Sequence, residues 1–260
     1  MILRSSHVGW LVALGIFCQP AAAPGEQKDA PPAAIAPPSQ GSDSSLAAHD
    51  PSHPPIDCPL RKAGIDPARM RPFEDAEEYI AFLDRADRAV WQKPDEVVAA
   101  VGLRGGETVV DLGAGSGYFT FRLAKALPHG KVIAADSDAE MIRHIHHKAM
   151  TEGVPNVQPV LIEPADPTIP AEADLVFVCD VLHHVSDRAA WLRRLATEMK
   201  SGAWLVLIEF REGKLPEGPP ESVKIPRAQM LRMVGAAGLT FAVERPDLLP
   251  YQLFLVFRKP

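Results

Sequence analysis

Val109-Val110-Asp111-Leu112-Gly113-Ala114-Gly115-Ser116-Gly117-Tyr118 is the stretch on which the fold turns. An apolar run closes on an acid, three glycines follow at alternate positions, and an apolar segment resumes. This is the pattern of a strand entering a tight turn that opens into a helix. Glycine tolerates positive φ there and lets a ligand lie against bare backbone. A dinucleotide fingerprint of the form G-x-G-x-x-G would place its third glycine at position 118, where Tyr118 stands; the glycines here are 113, 115 and 117.

Downstream, short apolar runs alternate with amphipathic ones. Strands are predicted at Thr108–Asp111, Lys131–Asp136, Val157–Ile162, Asp174–Cys179 and Ala203–Glu209. Helices are predicted at about 118–127, 138–152 and 187–200. Near-continuous apolar strands separated by helices imply a parallel sheet covered on both faces. After Glu209 the order changes: a helix at Arg227–Ala237 precedes Leu239–Glu244 and Gln252–Arg258, with no helix between those two runs. Consecutive strands joined by a short loop are antiparallel. Upstream, apolar residues from Phe73 to Trp91 recur at helical spacing, and Pro94, followed by Asp95 and Glu96, opens a further helix.

The glycine turn headed by Asp111 resembles that of the class I S-adenosylmethionine (SAM)-dependent methyltransferases, the broad group that includes the ubiquinone and menaquinone methyltransferases. Ala134-Ala135-Asp136-Ser137, Ile162-Glu163-Pro164 and the run Asp174 to Val185, ending Cys179-Asp180-Val181-Leu182-His183-His184-Val185, are similar to that family's second-, third- and fourth-strand motifs. The terminal strand pair matches its sixth and seventh strands. The resemblance spans roughly residues 70–260 and implies an α/β, Rossmann-like fold. Its sheet would be mostly parallel and seven-stranded, with an antiparallel last strand and helices on both faces.

The resemblance also implies SAM as cofactor. Asp111 would face its amino group, and Gly113, Ala114, Gly115, Gly117 and Tyr118 would line it. Asp136, with Ser137, would take the ribose hydroxyls, Glu163 would lie near the adenine, and Asp180 would border the pocket. A carboxylate suits two hydroxyls; the competing role for Asp136 is a helix N-cap. Asp180, His183 and His184 end the fourth strand, where open α/β sheets place ligands; a histidine there reads either as the base that accepts an acceptor's proton or as a residue that only shapes the cofactor pocket. Glu209 is a further rim candidate. Trp91 reads either as a lid aromatic or as a core residue. His144, His146 and His147 crowd one helix without a completing acid or cysteine and read as a solvated face.

The chain has 260 residues, 47% hydrophobic and 23% charged, with net charge −6. That excludes a fully disordered chain and gives no basic footprint for nucleic acid. Three cysteines, Cys18, Cys58 and Cys179, exclude a disulfide framework, and their spacing fits no zinc motif. Ten of the 26 prolines lie between Pro20 and Pro59. Arg4, the apolar run Val8–Cys18 and Ala21-Ala22-Ala23 read as a signal peptide or anchor over 1–23, although Pro24 disfavours cleavage. Residues 24–58 are expected to be a Pro-rich disordered linker, 59–107 a helical cap, and 108–260 the methyltransferase domain. The leader points to an exported, periplasmic or envelope-associated location, with a cytoplasmic one as the alternative, and it is also the expected contact with a membrane.

The expected activity is methyl transfer from SAM to a small-molecule acceptor. No thiol set for arsenite chemistry and no Asn-Pro-Pro-Tyr motif after the fourth strand is present. The rival readings are a non-catalytic SAM-binding module and, opposed by Tyr118 and the terminal strand pair, a nucleotide-dependent oxidoreductase. The sequence leaves the acceptor and the oligomeric state open.

Overall fold

The computed structural model describes residues 73–260, with side chains from Ala76 onward. The leader, the Pro-rich linker, Cys18 and Cys58 lie outside the described residues. Helices α1 (Phe73–Leu83), α2 (Arg88–Gln92) and α3 (Pro94–Val101) precede the sheet. The helical pattern from Phe73 to Trp91 is thus two helices, interrupted at Asp84–Asp87. Two contacts make the break. Arg88 reaches back and donates to the Leu83 carbonyl at 2.6 Å, and Asp84 accepts from Ser116 Oγ at 2.5 Å. Side chains that bond backbone or distant partners compete with helix continuation. Lys93, at φ 43°, then turns the chain so that Pro94 starts α3.

The remaining elements follow the predicted order: β1 (Thr108–Leu112), α4 (Thr120–Lys125), β2 (Lys131–Asp136), α5 (Ala139–Thr151), β3 (Val157–Leu161), β4 (Leu175–Cys179), α6 (Arg188–Glu198), β5 (Trp204–Phe210), α7 (Arg227–Ala236), β6 (Thr240–Glu244) and β7 (Gln252–Arg258). They form one seven-stranded sheet in the order β3-β2-β1-β4-β5-β7-β6. β1 through β5 pair parallel, and β7 lies antiparallel between β5 and β6.

Alternate strand residues face opposite cores. Val110, Leu112, Val176 and Val178 pack under Trp191, Leu195, Met230 and Val234 of α6 and α7. Val109, Val132 and Phe177 pack under Val97, Leu123 and Ile145 of α3, α4 and α5. Strand order reverses between β1 and β4, so a crevice opens beyond their carboxyl ends. The glycine turn leaves β1 there, and Asp180 leaves β4 beside it. No helix among the described residues is long and apolar enough to cross a membrane.

Candidate active site

Gly113, Gly115 and Gly117 all adopt positive φ, at 81°, 54° and 82°. The turn is pinned by backbone N–H groups of Gly113 and Ala114, which donate to the Ala135 carbonyl at 2.7 and 3.1 Å. A Cβ on Gly113 would lie 2.3 Å from Val181 Cγ2, so the turn and the segment after β4 meet only because no side chain stands there. Beneath the turn Asp111 is buried and accepts from Thr120 Oγ1 at 2.6 Å. Burial raises its pKa to about 7, a rise that the Thr120 hydrogen bond restrains and the nearby Asp136 charge adds to.

Asp136 ends β2 with both oxygens engaged by backbone: Gly115 N–H donates to Oδ2 at 2.8 Å and Asp138 N–H to Oδ1 at 2.8 Å. Its burial pushes its pKa up against those bonds. The cap of α5 is Asp138, which accepts from Glu140 N–H at 2.9 Å; Asp136 is therefore not the N-cap. Ser137 is exposed next to it. Ile162 N–H donates to the Asp136 carbonyl at 2.9 Å, which brings exposed Glu163 to the same rim.

Across the crevice, Asp180 stands at φ 60°, in the left-handed region that a non-glycine residue seldom adopts. Two buried glutamines from distant elements hold it. Gln252 Nε2, at the start of β7, donates to its oxygens at 2.6 and 2.8 Å, and Gln92 Nε2, at the end of α2, donates at 3.0 Å. Gln92 Oε1 in turn accepts from Arg88. Burial, and then the Glu209 charge, raise the Asp180 pKa to about 6. The free thiol of Cys179 lies 3.2 Å from Gln92 Nε2, and burial pushes its pKa well up.

His183 and Glu209 form a buried pair. Nδ1 lies 2.8 Å from Glu209 Oε2, and the His183 backbone N–H donates to Oε1 at 3.3 Å. Burial opposes the imidazolium, but the hydrogen bond to Glu209 and its charge outweigh it, so the His183 pKa is raised. One carboxylate thus orients both ring and backbone. His184 is exposed, with its ring centroid 4.1 Å from that of His183.

Several other side chains take unforeseen places. Tyr118 is buried, with the Arg88 and Arg122 guanidinium carbons 4.1 and 4.2 Å from its ring centroid. Trp91 is buried against Phe210 and Tyr251 at 5.7 and 6.1 Å. His144 is half-buried and His146 buried, which corrects the solvated-face reading; only His147 of the three is exposed. Gln92, Gln252, Arg88 and Tyr79 went unread in the sequence. Tyr79, half exposed on α1, has its pKa raised by partial burial and then by the charges of Asp136 and Asp138. No local motif marks these residues, because each reaches the crevice from another element.

A 3-2-1-4-5-7-6 sheet with β7 reversed, and acids at the ends of β1, β2 and β4 around a glycine turn, define the class I methyltransferase fold. Residues 110–205 match the family profile described as "Methyltransferase domain". Trans-aconitate 2-methyltransferase of Rhodococcus jostii (strain RHA1) is 31% identical over 133 residues, covering 51% of this chain and 48% of that protein. The counterpart from Azoarcus sp. (strain BH72) is 30% identical over 136 residues, covering 52% and 50%. The chain thus spans about half the length of these curated relatives. Among solved structures, a SAM-dependent methyltransferase from Aquifex aeolicus superposes with TM-score 0.64 at 24% identity, covering 72% of this chain and 98% of that one. An O-methyltransferase from neocarzinostatin biosynthesis, solved with S-adenosyl-L-homocysteine and 1,4-dihydroxy-2-naphthoic acid, gives 0.59 at 21% identity, covering 72% and 61%.

Proposed function

We propose that this chain binds SAM across the β1/β4 crevice and catalyses transfer of its methyl group to a small-molecule acceptor held beside Asp180 and His183. The observation that carries the reading is the pairing of bare backbone at three positive-φ glycines with three surrounding carboxyls, two of them with pKa values of about 7 and about 6. Buried acids whose pKa values are raised toward neutrality fit a cationic ligand, whose charge would favour their ionised forms.

Bound SAM supplies an electrophilic methyl on a sulfonium, and in-line displacement leaves a neutral thioether. Asp111 would meet the amino group of its methionine moiety and Asp136 the ribose hydroxyls. Gln92 and Gln252 fix the Asp180 carboxylate at the border between cofactor and acceptor. For a hydroxyl acceptor, Nε2 of His183 would take the proton that the oxygen gives up on methylation. Glu209 holds Nδ1 and so aims that nitrogen. Positioning and exclusion of water supply much of the rate.

Trans-aconitate, named for the relatives, is the first acceptor to test. Purified protein with SAM and trans-aconitate is expected to release S-adenosylhomocysteine in step with methylated product. Absence of SAM binding by calorimetry overturns the reading; SAM binding without transfer to any acceptor supports a binding module instead. We also propose that residues 1–23 direct the chain into the secretory pathway, a reading supported by Arg4 and the apolar run Val8–Cys18.

A further inference from the structure

Between the β5 and β7 ends and the α1–α2 turn lies an aromatic wall formed by Trp91, Phe210 and Tyr251. Phe210 follows Glu209 directly and pairs in register with Gln252, so the wall continues from the Asp180–His183 border. Two polar atoms in it have no hydrogen-bond partner: Trp91 Nε1, a donor, and Gln252 Oε1, an acceptor. Trp91 is 8% exposed and Gln252 is fully buried. Unpaired buried polar groups are uncommon in native proteins and often mark functional sites.

Arg85 stands over this wall. Its guanidinium carbon is 5.7 Å from the Trp91 ring centroid and 4.6 Å from that of Phe82. Nη2 pairs with Glu217 at 2.7 Å across 132 residues of chain, and Nε lies 3.3 Å from Asp87. Glu217 belongs to the loop between β5 and α7, and its neighbour Gly218, at φ 104°, presses that loop onto the Phe210 ring. Both partners of the ion pair are part-exposed, at 23% and 30%. Such pairs contribute little net stability, so one carboxylate can replace another there at little cost.

We propose that Arg85 and Trp91 form an anion subsite for a carboxylate of the methyl acceptor, in which the acceptor's carboxylate displaces Glu217. This rests on the methyltransferase reading and deepens it by naming the substrate class. Arg85 Nη2 donates to the acceptor's carboxylate in place of Glu217, while Nε stays on Asp87 and Nη1 donates to the Phe82 carbonyl at 3.3 Å. Trp91 Nε1–H supplies a further donor, and Gln252 Oε1 takes a hydroxyl or amide donor elsewhere on the acceptor. The anchored carboxylate is a handle; the atom that is methylated lies nearer His183.

The test uses the full chain, titrated calorimetrically with small di- and tricarboxylic acids, trans-aconitate among them, and with their methyl esters, with and without S-adenosylhomocysteine. At least one acid is expected to bind and its ester not. Arg85→Gln is expected to weaken that acid at least tenfold while S-adenosylhomocysteine affinity stays within twofold, which also reports that the variant is folded. Glu217→Gln, which removes the competing carboxylate, is expected to tighten the acid severalfold. The proposal is overturned if no acid binds, if ester and acid bind alike, if Arg85→Gln binds the acid as the unmodified chain does, or if Glu217→Gln weakens it as Arg85→Gln does. Failure of S-adenosylhomocysteine to bind counts separately, against the methyltransferase reading.

Discussion

Asp136 is a carboxylate with two tasks, since it fastens Gly115 and Asp138 through their N–H groups and faces the rim where ribose hydroxyls are expected. Asp136→Ala should weaken SAM binding by about 1.5–3 kcal/mol, because hydrogen bonds to a charged acceptor are lost; unchanged affinity by calorimetry sinks the assignment. Asp111 and Asp180 make a prediction about pH. Their folded-state pKa values of about 7 and about 6 lie above the usual value of 3.8. Their stabilisation of the ligand-free fold is therefore complete below about pH 4 and is lost as pH rises through 6 to 7. A bound cation favours the ionised forms, so SAM should bind more tightly as pH rises from 5.5 to 8, at about tenfold per carboxylate for each unit below its pKa. Asp111→Asn should flatten the upper part of that profile, and a pH-independent affinity in the unmodified chain refutes the linkage. Asp111, Asp136 and Asp180 were legible because each ends a strand beside a motif. Gln92 and Gln252 were not, because an amide becomes a site residue only through the distant carboxylate that it holds.

Strands β1, β2 and β4 were legible as near-continuous apolar runs, buried on both faces, and α5 as a helical period. The break between α1 and α2 was hidden because one of its two contacts comes from outside the segment, from Ser116 on the glycine turn, and the other, Arg88 to the Leu83 carbonyl, leaves no mark in the apolar pattern. The glycine turn itself depends on a contact that its own sequence does not announce, the Val181 side chain over Gly113. Gly113→Ala carries two costs there: a φ of 81° that L side chains rarely adopt and a Cβ 2.3 Å from Val181 Cγ2. The backbone strain alone is of order 1–3 kcal/mol. Chemical denaturation should show a loss larger than that for Gly113→Ala, and Val181→Ala in the same chain should recover the steric part while the φ part remains. Full stability in the single variant would mean that the turn tolerates a side chain, and the close-approach argument would fall with it.

Over the whole chain, composition sets the Pro-rich stretch from Pro20 to Pro59 apart from the rest, and strand composition explains the sheet order. β7 (QLFLVFR) is apolar on both faces and lies inside the sheet, while β6 (TFAVE) is largely exposed and takes the edge. Local sequence showed that the two are antiparallel; the placing of β7 against β5 depends on burying both of its faces. The N-terminal part sets a separate question, because leader and cofactor pull in opposite directions. Arg4, the run Val8–Cys18 and Ala21-Ala22-Ala23 have the charge, length and small residues of an export signal, and the run is too short to span a bilayer comfortably as a helix. SAM, however, is made from ATP in the cytoplasm, and Pro24 disfavours cleavage after the alanines. On the proposed reading the leader, a local physical pattern, would act during synthesis, before any cofactor is bound, and so would decide routing first. Fusing residues 1–55 to a reporter active only outside the cytoplasm should therefore give signal, and replacing Leu11 and Leu14 with Arg should abolish it by breaking the apolar run. A reporter that stays silent while well expressed would overturn the export reading and place the methyl-transfer chemistry beside the cytoplasmic SAM pool.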